Sequence, residues 1–191
     1  MDMYLYSKKP KIKQIIKAVI LWIVEIALVI LAAYLIIEYA MEKTTMMGVS
    51  MSSTLKDEDK IIINKLSYLR KSPERFDVIV FKQSSNEHSY YNIKRVIGLP
   101  GDTIEIVEGV VYINGEKLQE VIDVESMRVA GIAQEPVVLQ ENEFFVLGDN
   151  RNSSEDSRFA NVGIVVKKDI IGKAWIRLKP FSIIDKINRE D

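Results

Sequence analysis

The chain has 191 residues, 26 lysines and arginines against 27 aspartates and glutamates, and a formal net charge of −1, a balance that makes a nucleic-acid partner a poor fit. It has no cysteine, which excludes disulfides, thiolate metal sites and a cysteine nucleophile together. Its single histidine, His88, lies in the polar stretch "KQSSNEHSYY", reads as a solvated loop residue, and cannot by itself build a multi-histidine metal site.

The N-terminus is basic. Lys8, Lys9, Lys11, Lys13 and Lys17 face only Asp2 within residues 1–17, so the remainder of the chain is net acidic. Next comes "AVILWIVEIALVILAAYLII", Ala18 to Ile37, with one charge, long enough to cross about 30 Å of hydrocarbon. A cleaved leader would have a shorter apolar core and end in a small-x-small site, and neither stands out. The expected organisation is a basic cytoplasmic tail over 1–14, a transmembrane helix over 15–41, and one extracytoplasmic β-rich domain over 42–191. The preceding lysines predict a single pass with the N-terminus in the cytoplasm. Glu25, near mid-span, points either to a partner helix or to a tolerated protonated passenger.

Beyond the anchor the pattern is mostly β. "DKIIINKL" (59–66), "FDVIVFK" (76–82), "IKRVIGL" (93–99), "EFFVLGD" (143–149) and "KAWIRLKP" (173–180) are short β-branched or aromatic runs bounded by turn residues. Residues 102–118, "DTIEIVEGVVYINGEKL", predict a hairpin turning at Glu108-Gly109, with a second turn at Asn114-Gly115. "LPGD" (99–102) is a Pro-Gly turn. Residues 119–142 have weak periodicity and read as a strand or extended arm with a loop.

Three polar stretches carry candidate chemistry. "GVSMSSTL" (48–55) follows the apolar run closely and is either a juxtamembrane linker or the site of a serine nucleophile. A serine needs a positioned base, and without a usable histidine or cysteine the alternative is a lysine held neutral. Lys94, in "NIKRVIGLPGD", sits in a strand-like run beside Arg95; alternation puts Ile93 and Arg95 on one face and Asn92, Lys94 and Val96 on the other. Lysines in strands usually point to solvent, so the pattern alone does not make Lys94 a base. "GDNRNSSEDSR" (148–158) fails the spacing of a calcium loop, and its "NSS" fits a glycosylation pattern common by chance. It reads as a self-bonded loop that holds a serine hydroxyl in place.

Together these stretches resemble the boxes of the bacterial type I signal peptidases. Ser50-Met51-Ser52-Ser53-Thr54-Leu55 is similar to their S-M-x-P-T-L, "RFDVIVF" (75–81) to R-G-D-I-V-V-F, "KRVIGLPGD" (94–102) to K-R-x-x-G-x-P-G-D, and "GDNRNSSEDSR" to G-D-N-R-x-x-S-x-D-S-R. All four occur in family order behind an anchor, from about Lys43 to Phe181, and the short interval between the last two resembles the compact Gram-positive-type members. Two positions depart from the pattern: Ser53 replaces the proline, and Asn92 stands where a tyrosine is common, with Tyr90 and Tyr91 just upstream.

The resemblance implies a signal-peptidase-like β domain that removes signal peptides from exported preproteins, with Ser50 as nucleophile and Lys94 as general base. Ser154 would hydrogen-bond the lysine amine. Asp149, Asp156, Arg158 and Arg95 would support the site, with Asp156 and Arg158 paired, and Arg95 would help to depress the Lys94 pKa. Met51 would face substrate and membrane. The oxyanion hole would use the Ser50 backbone N–H, with no side-chain help from Gly48. Substrates would carry small residues at the first and third positions before the scissile bond and bind extended against a strand. The implied partners are these signal peptides and membrane lipid; no metal, cofactor or nucleic acid is implied. The alternatives are an impaired paralogue serving as an assembly or chaperone subunit, a tethered β-domain that only binds, and a self-cleaving repressor, which would need a DNA-binding domain where this chain has its span.

Overall fold

The structure, a computed structural model, describes residues 12–82 and 91–186, so His88 and Tyr90 lie outside the described residues. The chain divides into two units between Ala40 and Met41. In the first, α1 runs Ile12–Ala40, 29 residues, or about 43 Å at 1.5 Å per residue. Among the described residues it is the one helix long and apolar enough to cross a membrane. It begins a turn before the expected start and contains Lys13 and Lys17, because these long side chains are compatible with helix and extend away from its axis. Glu25 is exposed on this helix.

The second unit is antiparallel β. β1 (Met41–Thr45), absent from the sequence reading, pairs with β2 (Lys60–Asn64). β3 (Val78–Phe81), β4 (Asn92–Gly98), β9 (Glu143–Leu147), β10 (Val165–Val166), β11 (Ile170–Leu178) and β12 (Phe181–Ile183) complete an eight-stranded sheet. Its order is β1-β2-β11-β3-β4-β9-β10, with β12 on β11. A second sheet holds β5 (Thr103–Val107), β6 (Val110–Ile113), β7 (Glu116–Lys117) and β8 (Val137–Val138) in the order β7-β6-β5-β8.

Both faces of the large sheet are covered, which explains why its central strands are continuous apolar runs rather than alternating ones. Val78 and Val80 of β3 join Met51, Leu55, Ile61 and Ile63 in one cluster. Their neighbours Ile79 and Phe81 face the other way, with Val96, Phe144 and Val146. A third cluster lies between the sheets, where Ile97, Phe145 and Leu147 meet Ile104, Ile106 and Val111. The hairpin turns sit where the sequence puts them: Val107 pairs with Val110 around Glu108-Gly109, and Asn114 and Gly115 take φ of 53° and 84° between β6 and β7. Two successive positive φ values give the type I′ geometry whose twist matches the flanking strands.

Residues 119–142 depart from the expected strand or extended arm. They are largely irregular, with a 3₁₀ turn at Gly131–Gln134 and the two-residue β8. The segment is tacked down by Ile122, Met127, Ala133 and Leu139, all buried. Spaced anchors of this kind have no strand or helix period, so no pattern announced them.

β11 organises the large sheet, pairing with β2, β3 and β12. Gly172 permits this: a Cβ there would come within 2.5 Å of the Asn64 carbonyl oxygen, a backbone atom of β2. Gly172→Ala should therefore force the strands apart and cost about 1–3 kcal/mol, as other overpacked sites do. Thermal unfolding should show a clear drop in Tm, and an unchanged Tm would mean that the β2–β11 approach is looser than described.

Candidate active site

The site is assembled from three segments that are distant in sequence. Ser50 lies in the turn region between β1 and β2, Lys94 is the third residue of β4, and residues 148–158 follow β9. Lys94 Nζ and Ser50 Oγ are 2.6 Å apart, one hydrogen bond spanning 44 residues. Lys94 is only 5% exposed. Burial pushes its amine below the ordinary lysine range; the carboxylates of Asp156, Glu155 and Asp149 oppose that shift, and the Arg158 guanidinium adds to it. The nearby cation acting on Lys94 is thus Arg158. Arg95, expected to help depress the amine, is instead consumed by Asp149.

That pair is a buried, two-pronged ion pair. Arg95 Nε donates to Asp149 Oδ1 at 2.8 Å and Nη2 to Oδ2 at 2.7 Å. Two further bonds run from Arg95 to Phe76 O at 2.9 Å and Thr54 Oγ1 at 3.1 Å, while Thr54 itself donates to Asp149 Oδ2 at 2.5 Å. The network ties β4 to the serine segment, to the start of the 148–158 loop and to the turn before β3. A buried pair bonded in this way keeps its geometry, because removing one partner strands an ion in the interior.

A second buried pair closes the loop. Arg158 grips Asp156 with Nε at 2.7 Å and Nη2 at 2.9 Å, and donates to the Arg151 carbonyl at 2.6 Å. Asp156 Oδ2 also accepts the Gly148 N–H at 3.0 Å. Arg151 in turn donates to Gly148 O at 3.2 Å and to Glu120 Oε1 at 2.5 Å, and Asn152 reaches Glu125 Oε2 at 3.1 Å. The irregular 119–142 segment therefore forms the outer wall of the support loop.

Two expected contacts come out differently. Ser154 Oγ is buried without a hydrogen-bond partner among the described residues, so the expected bond to the Lys94 amine is not formed. Ser154 instead packs against Gly148: a Cβ on Gly148 would lie 2.5 Å from Ser154 Cβ and 2.6 Å from Ser50 O, so the glycine makes room for both. Met51 is 0% exposed rather than facing substrate or membrane. It packs with Leu55, Ile61 and Ile63, and its sulfur accepts the Asp149 N–H at 3.4 Å, because the chain turns inward directly after Ser50.

Tyr91, adjacent to the departing Asn92, sends its hydroxyl to Glu42 Oε1 of β1 at 2.5 Å. Sequence reasoning did not single out Thr54, Gly148, Asn150, Arg151 or Glu120. The first four lie inside the quoted boxes, which was the available signal; Glu120 had none. No group of carboxylates or histidines among the described residues is arranged to hold a metal. A serine hydroxyl bonded to a buried amine whose pKa is lowered is the kind of arrangement that acyl transfer by serine without histidine requires.

Comparison with known proteins places the chain in a family. The family model "Signal peptidase, peptidase S26" matches residues 19–179. Probable signal peptidase I-2 of Synechocystis sp. is 39% identical over 138 residues, covering 69% of this chain but 60% of that protein's length. Signal peptidase IB of Staphylococcus aureus strain COL is 30% identical over 181 residues, covering 87% and 92%. A crystal structure of a signal peptidase I from Enterococcus faecalis V583 is 33% identical, with a TM-score of 0.41, covering 54% of this chain and 97% of that one. The family match runs unbroken through most of α1, Ser50, Lys94 and the 148–158 loop, and the chain belongs to the signal peptidase family, peptidase S26.

Proposed function

We propose that the chain is a membrane-bound serine endopeptidase that removes N-terminal signal peptides from exported preproteins, using Ser50 and Lys94. One observation carries the reading: the Ser50 hydroxyl lies 2.6 Å from an amine that burial disposes to be neutral. Neutralising an ordinary lysine at pH 7 costs about 4–5 kcal/mol, and the low-dielectric setting of Lys94 supplies part of that.

In this mechanism Ser50 Oγ attacks the scissile carbonyl as its proton passes to Lys94 Nζ. The tetrahedral oxyanion is stabilised by the Ser50 N–H. Its collapse breaks the C–N bond, and the Lys94 ammonium returns its proton to the departing amine of the mature chain. The signal peptide remains as an ester on Ser50. A water then gives its proton to Lys94 and attacks the ester; collapse breaks the ester C–O bond and frees the carboxyl terminus, while the Lys94 ammonium returns the proton to Ser50 Oγ and restores the hydroxyl. Lys94 acts as base and then acid in each half-reaction, so its neutral form must be the resting one.

The binding reading rests on β1. It is the terminal strand of the large sheet and leads into the Ser50 segment, so its outer edge is available for an extended peptide. Small side chains before the scissile bond suit so close an approach. The basic residues before α1 favour a cytoplasmic N-terminus and an extracytoplasmic β unit. In the assay of purified enzyme, detergent and preprotein, the new N-terminus should lie after a small-x-small pair; binding without cleavage would instead favour the impaired paralogue.

Ser50→Ala, Lys94→Ala and Lys94→Arg should each be folded and inactive, the last because guanidinium stays protonated. Residual Lys94→Arg activity above trace would eliminate the amine as base. The pH dependence has a definite sign. The folded-state pKa of Lys94 is lowered, so activity should rise along a basic limb that ends below the ordinary lysine value near 10.4. Between the folded and unfolded pKa values the unfolded chain binds more protons, so this group's penalty on stability is full below that window and disappears as pH rises through it. Lys94→Met should accordingly melt no lower than the parent at neutral pH.

Arg158→Gln tests the support loop. It removes a cation that lowers the Lys94 pKa and uncovers Asp156, which raises it, so the basic limb should move to higher pH. Breaking the buried pair should also cost about 3–5 kcal/mol of stability. A variant that loses stability while its limb stays in place would confine Arg158 to a purely structural role.

A further inference from the structure

We propose that Asn150 is a positioning residue for Ser50, an inference that rests on Ser50 being the nucleophile. The segment entering Ser50 has little packing of its own: Met47 is 62% and Val49 53% exposed. Gly48 has a φ of 80° and is held by one bond, its N–H to Asp57 Oδ1 at 2.7 Å. Met46 is buried, but after it burial resumes only with Met51. Ser50 therefore sits where an exposed segment turns into the core, and something outside that segment has to fix it.

Asn150 makes three bonds to this turn. Its backbone N–H donates to Ser50 O at 3.0 Å. Its side-chain Nδ2 donates to Val49 O at 3.2 Å and to Ser52 Oγ at 3.0 Å. These partners flank the nucleophile, and they brace a turn already closed by the Ser52 N–H to Val49 O bond at 3.1 Å. The carbonyl of Val49 is an acceptor only, so the atom facing it must be the amide nitrogen, and both N–H groups of that nitrogen are used. Asn150 is itself anchored: Asp149 before it is clamped by Arg95, and its carbonyl accepts the Ser153 N–H at 3.0 Å. The carboxamide also spans the turn where the family pattern has proline and this chain has Ser53, whose φ no ring restricts. Lys94 is held by its strand and by burial; Asn150 holds the other end of the 2.6 Å contact.

The test measures kcat, KM, the pH profile and Tm for Asn150→Asp, Asn150→Ala, Ser52→Ala and the Asn150→Ala/Ser52→Ala double variant, with rates normalised to folded protein by circular dichroism. Asn150→Asp keeps the shape but places an acceptor against the Val49 carbonyl, so it should fail like Asn150→Ala. A displaced nucleophile should lower kcat by about 10–100-fold and leave KM within about two-fold of the parent, a change of no more than about 0.4 kcal/mol. In Asn150→Ala, which adds no charge, the basic limb should stay in place; Asn150→Asp adds a carboxylate of the kind that opposes the Lys94 shift, so its limb should move to higher pH. Ser52→Ala should lose less, and its effect should be smaller still in the Asn150→Ala background, because the two share one bond. Parental kcat in both Asn150 variants, a rise in KM alone, or a shifted limb in Asn150→Ala would each overturn the inference. Ser50→Ala is the control: if it keeps activity, the nucleophile assignment has failed, whereas an inactive Ser50→Ala beside parental Asn150 variants rejects only the positioning role.

Discussion

The structure turns on keeping one lysine amine dry beside a serine hydroxyl. Lys94 is surrounded by carboxylates that would each favour its charged form, Asp156, Glu155 and Asp149 among them. The two fully buried arginines answer that problem. Arg95 takes both oxygens of Asp149, and Arg158 takes both oxygens of Asp156. Each aspartate thus spends its charge on a guanidinium, and desolvation of Lys94 prevails. The ion pairs that brace the loop thus also bear on the amine, which is why a loop rich in charge can stand next to a lysine whose pKa is lowered.

β4 makes this division possible. Consecutive residues on a strand face opposite sides, so Lys94 and Arg95 reach different surroundings from adjacent positions. One meets Ser50, the other Asp149 and Thr54. Strands β3 and β9 flank β4 through its middle, so neither side chain can be displaced without disturbing a ladder.

Much of this was legible in the chain. The long apolar helix follows from twenty nearly uncharged residues, and the β6–β7 turn from Asn114-Gly115, because each is decided by local chemistry. The serine and lysine could be paired because cysteine is absent and histidine nearly so, and because four boxes occur in the order of a known family. Non-local facts were out of reach. Nothing local says that β11, late in the chain, inserts between β2 and β3, or that the aperiodic segment from 119 to 142 braces the loop through Glu120 and Glu125. Met51 was misplaced for a related reason: its neighbours Ser50 and Ser52 look like solvent-facing company, while the direction of the turn after Ser50 is set by the Arg95–Asp149–Thr54 network. Ser154 was expected to bond the amine, but its orientation depends on the space that Gly148 leaves.

The buried thioether directly after Ser50 gives this site a particular relation to oxidants. With no cysteine in the chain, methionine is the side chain most readily oxidised, and Met51 sits directly after Ser50 with its sulfur against the Asp149 amide. A sulfoxide there would place a polar, chiral group among Leu55, Ile61 and Ile63 and push on the segment that carries the hydroxyl. Full burial shields this sulfur, so peroxide reaches it only when the turn opens, whereas Met47, 62% exposed, needs no opening. Oxidation of Met51, resolved from that of Met47, thereby becomes a clock for a local unfolding event at the site.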